Sequence, residues 1–317
     1  MTQSVSSHLA AWISSHFTLA PVRKVHLIRA YTNDVYLVET CKERYVPKVY
    51  GSGWRRDSEI RFEVELLDHL DAQGIAVAQA IRGRTGEALQ TLMLNGKRRQ
   101  AILFNYAPGS KPSPPFAPAM YHREGRAVAA LHIAADDFAT AHDRRSLDLA
   151  ELIDGPLAFV ESLDIDASVT RPIVDFGRLV RARIEALAGA GLDWGVCHGD
   201  LTFDNLHIAD DGEFVWYDFD SGGYGWRAID CQEWTALDDQ WRPHGQAFLD
   251  GYREVRPLSD GHIAAAPYLT AATEIWGIQV DLERRVLAKG KAAVQDFLAE
   301  RADRFTAWRC ALHKDLD

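Results

Sequence analysis

The chain has 317 residues, 47% of them hydrophobic and 25% charged, with 35 basic against 45 acidic side chains and a formal net charge of −10. A chain of this size buries one large core or two lobes, and an acidic balance with no basic run weighs against a nucleic-acid scaffold. No apolar run approaches the ~18 residues of a membrane span, and four scattered cysteines without a CxxC pair (Cys41, Cys197, Cys231, Cys310) read as buried reduced thiols of a cytoplasmic protein, neither zinc ribbon nor disulfide framework.

The opening stretch MTQSVSSHLAAWISSHF lacks the basic start and long apolar core of a signal peptide. From Val22 to about Leu103 short alternating strands dominate. KVHLIRAYTNDVYLVET and ERYVPKVY read as strands with turns at TND and near Lys42–Glu43. DSEIRFEVELLDHLDAQG breaks that pattern: Ile60, Phe62, Leu66, Leu67 and Leu70 mostly follow helical spacing, and Gly74 stands where a C-terminal cap would. Strands resume in GEALQTLMLNGKRRQAILFNY, with a hairpin turn at Asn95–Gly96. APGSKPSPPFAP then punctuates the chain and marks a lobe boundary. Helices follow, among them MYHREGRAVAALHIAADDF, with Val128 and Leu131 on one face, and RPIVDFGRLVRARIEALAGAG. The predicted class is α+β: a small antiparallel sheet lobe with one helix over residues 1–105, a hinge at about 104–110, and a larger, mainly helical lobe over 106–317.

Within the helical part, VCHGDLTFDN ends an apolar strand in polar side chains, and LHIADDGEFVWYDFD follows directly. NLHI and FVWYDFD form the strands of a hairpin turned by ADDGE. The residue before the first strand and the residue ending the second share one end of such a hairpin. Asn205 and Asp218 therefore come side by side, with Asp200 on the loop leading in. An amide oxygen beside a carboxylate, completed by phosphate oxygens, is a Mg²⁺ environment. Asp200, held off the metal, is free to accept a proton from an attacking hydroxyl. Asp and Asn are also common turn formers, and Asp210 and Asp211 read as no more than that. The conjunction singles this segment out: His-Gly-Asp, an Asn five residues on, a hairpin, then Asp-Phe-Asp. His198 reads as a residue that bonds backbone and fixes the loop. Asp220 either touches a second metal or the substrate, or caps the strand.

HGDLTFDN together with YDFDSGGYGWRAID resembles the catalytic segment of the aminoglycoside phosphotransferase/choline kinase superfamily. That family's protein-kinase-like fold has an analogous His-Arg-Asp-x-x-x-x-Asn loop and Asp-Phe-Gly metal motif. The resemblance runs from about Tyr31 to Trp234, is strong over residues 196–234, and has most of the flavour of the homoserine kinase type II and stress-response kinase branch. It implies a bilobal kinase-like fold holding ATP and Mg²⁺ between its lobes, with Asp200 catalytic and Asn205, Asp218 and Asp220 at the metal. In the small lobe it implies a strand lysine paired with a helix glutamate: Lys48 in YVPKVY and, by spacing to Leu70, Glu63 in preference to Glu65. Such residues are usually solvated, and segment 196–220 is what favours the pair. Pro47 departs from the pattern by removing a ladder donor beside Lys48. No GxGxxG loop is present. AYTNDVYLV takes its place, where Thr32 and Asn33 either donate to β- and γ-phosphates or form a plain turn. In LFNYAPG the resemblance, through the family's spacing to Gly109, implies that the Asn105 carbonyl and the Ala107 N–H face the adenine edge, Pro108 having no donor to offer. Asp230 in RAIDCQEW matches the acid that braces the catalytic loop.

The expected activity is ATP- and Mg²⁺-dependent transfer of a γ-phosphate to a hydroxyl of a small molecule, be it an amino alcohol, an aminoglycoside-like antibiotic or a homoserine-like metabolite. A Ser/Thr protein kinase of the stress-response type is the alternative, although no Ala-Pro-Glu element is present. A non-catalytic nucleotide-binding protein is disfavoured by the intact set Lys48, Asp200, Asn205 and Asp218. In such a family the acceptor is held after the metal motif. Trp226, Trp234, Trp241, Trp276, Glu233, Asp238, Asp239, Glu274 and Asp281 there could grip an amine by cation–π contact, but read more simply as a tryptophan-rich core with a solvated acidic face. Neither a nucleic-acid nor a membrane partner is expected, and oligomeric state is not legible.

Overall fold

Alternating β-branched and aromatic residues build a sheet early in the chain, and amphipathic helices follow it. In chain order the computed structural model has α1 Thr2–His16, β1 Val22–Ala30, β2 Asn33–Thr40, β3 Arg44–Tyr50, α2 Asp57–Ala72, β4 Gln90–Leu94 and β5 Lys97–Asn105. Then come α3 Pro118–Ala134, α4 Gly155–Ser162, α5 Ala167–Gly189, β6 Trp194–Cys197, β7 Leu206–Ile208, β8 Phe214–Trp216, β9 Gly223–Trp226, α6 Arg242–Val255, α7 Asp260–Asp281 and α8 Lys291–Lys314. The structure describes residues 2–94, 96–235 and 242–314. Asn95 of the expected turn, together with Asp238, Asp239 and Trp241, lies outside them, and the side chains of Glu233 and Trp234 are likewise outside what is described. The α+β class expected from the sequence is the one observed.

Packing divides the chain into two units. One comprises Met1–Pro112, Asp137–Arg144 and Phe203–Asp218; the other Ser113–Asp136, Arg145–Thr202 and Phe219–Asp317. The acidic hairpin thus belongs with the sheet, although the sequence places it among helices.

In the first unit the strands are antiparallel in the order β1-β2-β3-β5-β4. Helix α1, which the sequence reading left unassigned, lays Leu9, Trp12 and Ile13 on the sheet residues Tyr36, Val38, Tyr45, Val49 and Leu103. Its stripe is one i, i+3, i+4 triplet among serines and histidines, too short to stand out in the sequence. Helix α2 begins as the sequence indicates: the Glu59 carboxylate accepts the Arg56 N–H at 2.9 Å, closing the first turn, and Gly74 follows its end at φ +83°. Pro47 costs the β2–β3 ladder two pairings and nothing more. Val35 pairs with Lys48 and Val38 with Tyr45, so the register on either side of the gap is the same. Lys48 therefore keeps its place.

The hairpin is welded to the chain leaving β5. Ser110 and Ile208 exchange two backbone bonds of 3.1 and 2.9 Å, and the Ala78 N–H donates to Trp216 O at 2.9 Å. Gly109 sits at φ +79°, and a Cβ there would meet Ile208 O at 2.0 Å.

The second unit is built on α5, α7 and α8, whose buried Phe176, Val180, Ile184, Leu269, Ile275, Leu298 and Phe305 share one core. β6 and β9 form a small antiparallel pair within it. Of the cysteines, Cys197 and Cys231 are buried as expected, whereas Cys41 and Cys310 are exposed; all four are free. Among the described residues no helix is long and apolar enough to cross a membrane.

Gly109→Ala should cost more than about 1 kcal/mol, because it meets both a left-handed backbone and a carbonyl in contact. Urea denaturation checks this, and an unchanged midpoint would show that the turn is not under constraint.

Candidate active site

Side chains of Val46, Lys48 and Tyr50 share one face of β3 because a strand alternates. The Lys48 ammonium lies 3.1 Å from Glu63 Oε1 on α2 and 2.9 Å from Asp218 Oδ1 after β8. Tyr50 donates its hydroxyl to the other Glu63 oxygen at 3.1 Å. A buried carboxylate is tolerated only when paired and hydrogen-bonded, and here one oxygen goes to the ammonium and one to the phenol. Glu65, the alternative, is exposed and faces His142 at 3.3 Å. Tyr50 escaped the sequence reading; its signal is the i+2 spacing from Lys48.

Asp218 has φ +64°, the non-glycine left-handed backbone among the described residues. Such a conformation costs of order 1–3 kcal/mol and persists where the surroundings fix it. Its side chain is 32% exposed, against 5% for Lys48, so the pair stays open to water on the acid's side.

A cavity of about 390 Å³ surrounds this cluster, lined wholly by the first unit. Ile28, Val46, Leu67, Ala78 and Phe104 make its apolar walls. Asn105, Tyr106 and Ala107 run along one edge, and Lys48, Glu63, Asn205 and Asp218 form the polar end. The sequence reading missed Arg29, His207, Tyr217 and the exposed pair Lys111–Asp204 (2.7 Å), which also line it. Burial first, then the neighbouring Tyr106, Asp204 and Asp218, push the Tyr217 phenol up to about 12. It therefore remains a donor, to the carbonyls of Asp204 at 3.0 Å and Leu206 at 3.3 Å.

The Asn205 backbone carbonyl accepts the Tyr217 N–H at 3.0 Å, which ties that residue's backbone to the segment that delivers Asp218. Both residues line the cavity, Asn205 buried, Asp218 bonded to Lys48 through Oδ1. Two hard oxygen donors, one of them anionic, suit a divalent ion such as Mg²⁺ whose remaining ligands are phosphate and water. Among the described residues no group of three or more His, Cys, Asp or Glu is placed to hold a metal ion. Thr32 and Asn33 do not line the cavity. Asn33 is buried and accepts the Gly51 N–H at 3.2 Å, locking the β1–β2 turn to the end of β3.

In the second unit β6 leads into His198, Gly199 and Asp200. Asp230, fully buried, accepts the N–H groups of His198 (2.7 Å) and Gly199 (2.8 Å) and the His132 imidazole at 3.0 Å. His132 in turn faces the Tyr252 hydroxyl at 2.8 Å. Burial alone would raise the Asp230 carboxyl, but the hydrogen bond and charge of His132, the charge of His198 and the Gly199 N–H outweigh it and hold it below its ordinary range. Gly199 is at φ +80° with Ser221 O 2.5 Å from where a Cβ would stand. The Asp200 N–H donates to His198 Nδ1 at 3.3 Å, so the buried histidine shapes the loop from within. Asp200 is half-buried, and Asp220 is buried in the short 3₁₀ turn Phe219–Ser221. His132 and Tyr252 were missed because a histidine and a tyrosine on helix faces carry no local pattern.

Several of the residues considered for an acceptor have arginine or local partners. Glu274 pairs with Arg304 at 2.9 Å, Asp281 with Arg285 at 2.8 Å, and Trp276 donates to Glu151 at 3.3 Å. Trp226 packs edge-on to Trp194 at 5.1 Å.

The fold and the charged pocket are those of a kinase-like phosphotransferase. The chain belongs to the APH phosphotransferase enzyme family, whose family model matches residues 24–269. It is similar to a homoserine kinase of Xanthobacter autotrophicus, 29% identical over 283 residues, 84% of this chain and 82% of that protein. Among solved structures, the amicoumacin kinase hAmiN in complex with AMP-PNP, Ca²⁺ and Ami has a TM-score of 0.75 at 18% identity, over 96% of this chain and 94% of the other. A microcompartment-associated aminopropanol kinase has a TM-score of 0.74 at 20% identity, over 96% of each chain. These two show the shared fold. The protein is a small-molecule phosphotransferase.

Asp230→Asn leaves one oxygen for three donors and should destabilise the protein by roughly 3 kcal/mol near neutral pH. Because the folded carboxyl titrates lower than the unfolded one, its contribution is present above the ordinary carboxylate range and is lost as pH falls through the folded value. In urea titrations the gap between wild type and variant should therefore close below about pH 4. A gap independent of pH would contradict the ionised brace.

Proposed function

We propose that the protein transfers the γ-phosphate of ATP, bound with Mg²⁺, to the hydroxyl of a small amino alcohol. The observation that carries this is the Lys48 ammonium held between Glu63 and Asp218 at the polar end of a cavity that also presents Asn205. Lys48 is positioned to take α- and β-phosphate oxygens, while Glu63, itself held by Tyr50, keeps the ammonium in place. Asn205 and Asp218 would hold the divalent ion, which neutralises phosphate charge when bound. The apolar walls take the base, with the Asn105 carbonyl and the Ala107 N–H on its polar edge. Asp200 orients the acceptor hydroxyl and takes its proton; that role rests on the His-Gly-Asp motif and on a backbone pinned by His198 and Asp230. Asp220 lies buried in the 3₁₀ turn that follows Asp218.

The acceptor class follows from what the relatives are named for. Homoserine and aminopropanol each carry an amine within a few bonds of the hydroxyl, and a chain of net charge −10 suits a cationic substrate.

A panel of homoserine, aminopropanol, ethanolamine, choline and amine-free polyols, assayed for ADP release with Mg²⁺ and ATP, tests the reading. Turnover is expected with an amino alcohol and not with the polyols; equal turnover of both would overturn the acceptor class. Asp200→Ala should lower kcat by roughly 10²–10⁴-fold, with nucleotide affinity little changed. Retained turnover in that variant would remove Asp200 from the chemistry.

A further inference from the structure

One side chain in the nucleotide pocket has a bonding pattern that bears on which base it takes. His207, on β7, is buried, lines the cavity, and donates from Nδ1 to the Ala107 carbonyl at 2.9 Å. The acceptor is a carbonyl, so Nδ1 carries the proton. The ring stands between Tyr106 and Tyr217, with centroids 5.3 and 5.2 Å away. The two Ser110–Ile208 bonds and the close approach of Gly109 to Ile208 hold the same stretch of backbone from the next turn. The Ala107 carbonyl is thus held in place, with one of its two lone pairs spent on the imidazole.

The hydrogen bonds of this edge follow from strand alternation. The Tyr106 N–H donates to Arg44 O at 3.3 Å, so the backbone groups of Asn105 and Ala107 turn away from β3. The Asn105 N–H is spent on Gln79 O at 3.0 Å. Beside that half-spent carbonyl, a base finds one acceptor not shared with His207, the Asn105 carbonyl, and one donor, the Ala107 N–H. Adenine presents the complement: a 6-amino donor and an N1 acceptor. Guanine presents an O6 acceptor and two adjacent donors, N1–H and the 2-amino group, and needs a second carbonyl at Ala107.

We propose that His207, by occupying the Ala107 carbonyl, makes this pocket select adenine over guanine nucleotides and gain nothing from a purine 2-amino group. This rests on the cavity being the nucleotide site, as proposed above. A guanine in the pocket would have to share the Ala107 carbonyl with His207, and a poorly met buried donor is penalised more than a met one is rewarded.

The test measures dissociation constants of the Mg²⁺ complexes of ATP, GTP and 2-amino-ATP by calorimetry on the full chain. Wild type is compared with His207→Phe, which keeps a ring and removes the donor, and with His207→Gln, which keeps a donor. On the wild type, 2-amino-ATP should bind no tighter than ATP, and GTP at least tenfold more weakly, the loss expected of one poorly met buried donor at ~1–3 kcal/mol. In His207→Phe both GTP and 2-amino-ATP should gain about tenfold relative to ATP, while His207→Gln stays close to wild type. The proposal is overturned if 2-amino-ATP binds the wild type several-fold tighter than ATP, a comparison that needs no variant to fold. It is also overturned if the ATP-to-GTP ratio is the same in His207→Phe with ATP binding intact. If the wild type binds none of the three, the nucleotide-site reading falls, and base selection with it.

Discussion

A lysine ammonium almost wholly removed from water, with a carboxylate on either side, sets the terms for the rest of this structure. Such a charge is tolerated only with partners in good geometry, and three separate elements exist in part to supply them. Strand β3 brings Lys48, helix α2 brings Glu63, and the strained residue after β8 brings Asp218. Tyr50 then takes the Glu63 oxygen the lysine cannot reach. The two contacts differ in kind. Glu63 is sealed in, whereas Asp218 keeps an open side, and in the proposed function it is the second contact that a metal–phosphate group would exchange with.

The hairpin explains how a residue so far along the chain reaches that lysine. Its strands are fused to the segment after β5 through Ser110, Gly109 and His207, and to Ala78 through Trp216. The entire lining of the cavity is consequently one packed body. The His-Gly-Asp loop has its own support in the second unit, where Asp230 gathers two backbone N–H groups and His132. Under the proposed function, binding and proton transfer would fall to two separately braced units, between which the chain crosses at Thr202–Phe203 and Asp218–Phe219 among other places.

Much of this was legible in the sequence, and the parts that were not share a cause. Helix α2 announced itself by spacing, the hairpin by an Asp-Gly turn between short apolar strands, and Asp200, Asn205 and Asp218 by their conjunction. Lys48 and Glu63 needed the family resemblance, since a strand lysine and a helix glutamate are common. His132, Tyr252 and His207 stayed hidden because each acts through a contact far away in the chain, which no local pattern encodes, whereas Tyr50 had only its i+2 spacing from Lys48 as a signal. Asn33 illustrates the converse: read either as a phosphate donor or as part of a plain turn, it does not line the cavity, and its oxygen accepts the Gly51 N–H. Pro47 looked like a threat to the register of Lys48, but its missing donor falls where β2 and β3 simply skip two pairings.

The central claim is that Asp218 is poised to exchange Lys48 for a metal ion on a bound phosphate. It is tested most directly by measuring ATP affinity of wild type and Asp218→Asn, with Mg²⁺ and again in EDTA; asparagine tolerates the left-handed backbone, so the variant isolates the charge. With Mg²⁺ the variant should bind at least about tenfold more weakly, as when one partner of a desolvated charge pair is removed. In EDTA it should bind as well as wild type or better, because the carboxylate no longer repels the phosphates or competes for Lys48. Equal weakening under both conditions would contradict the account.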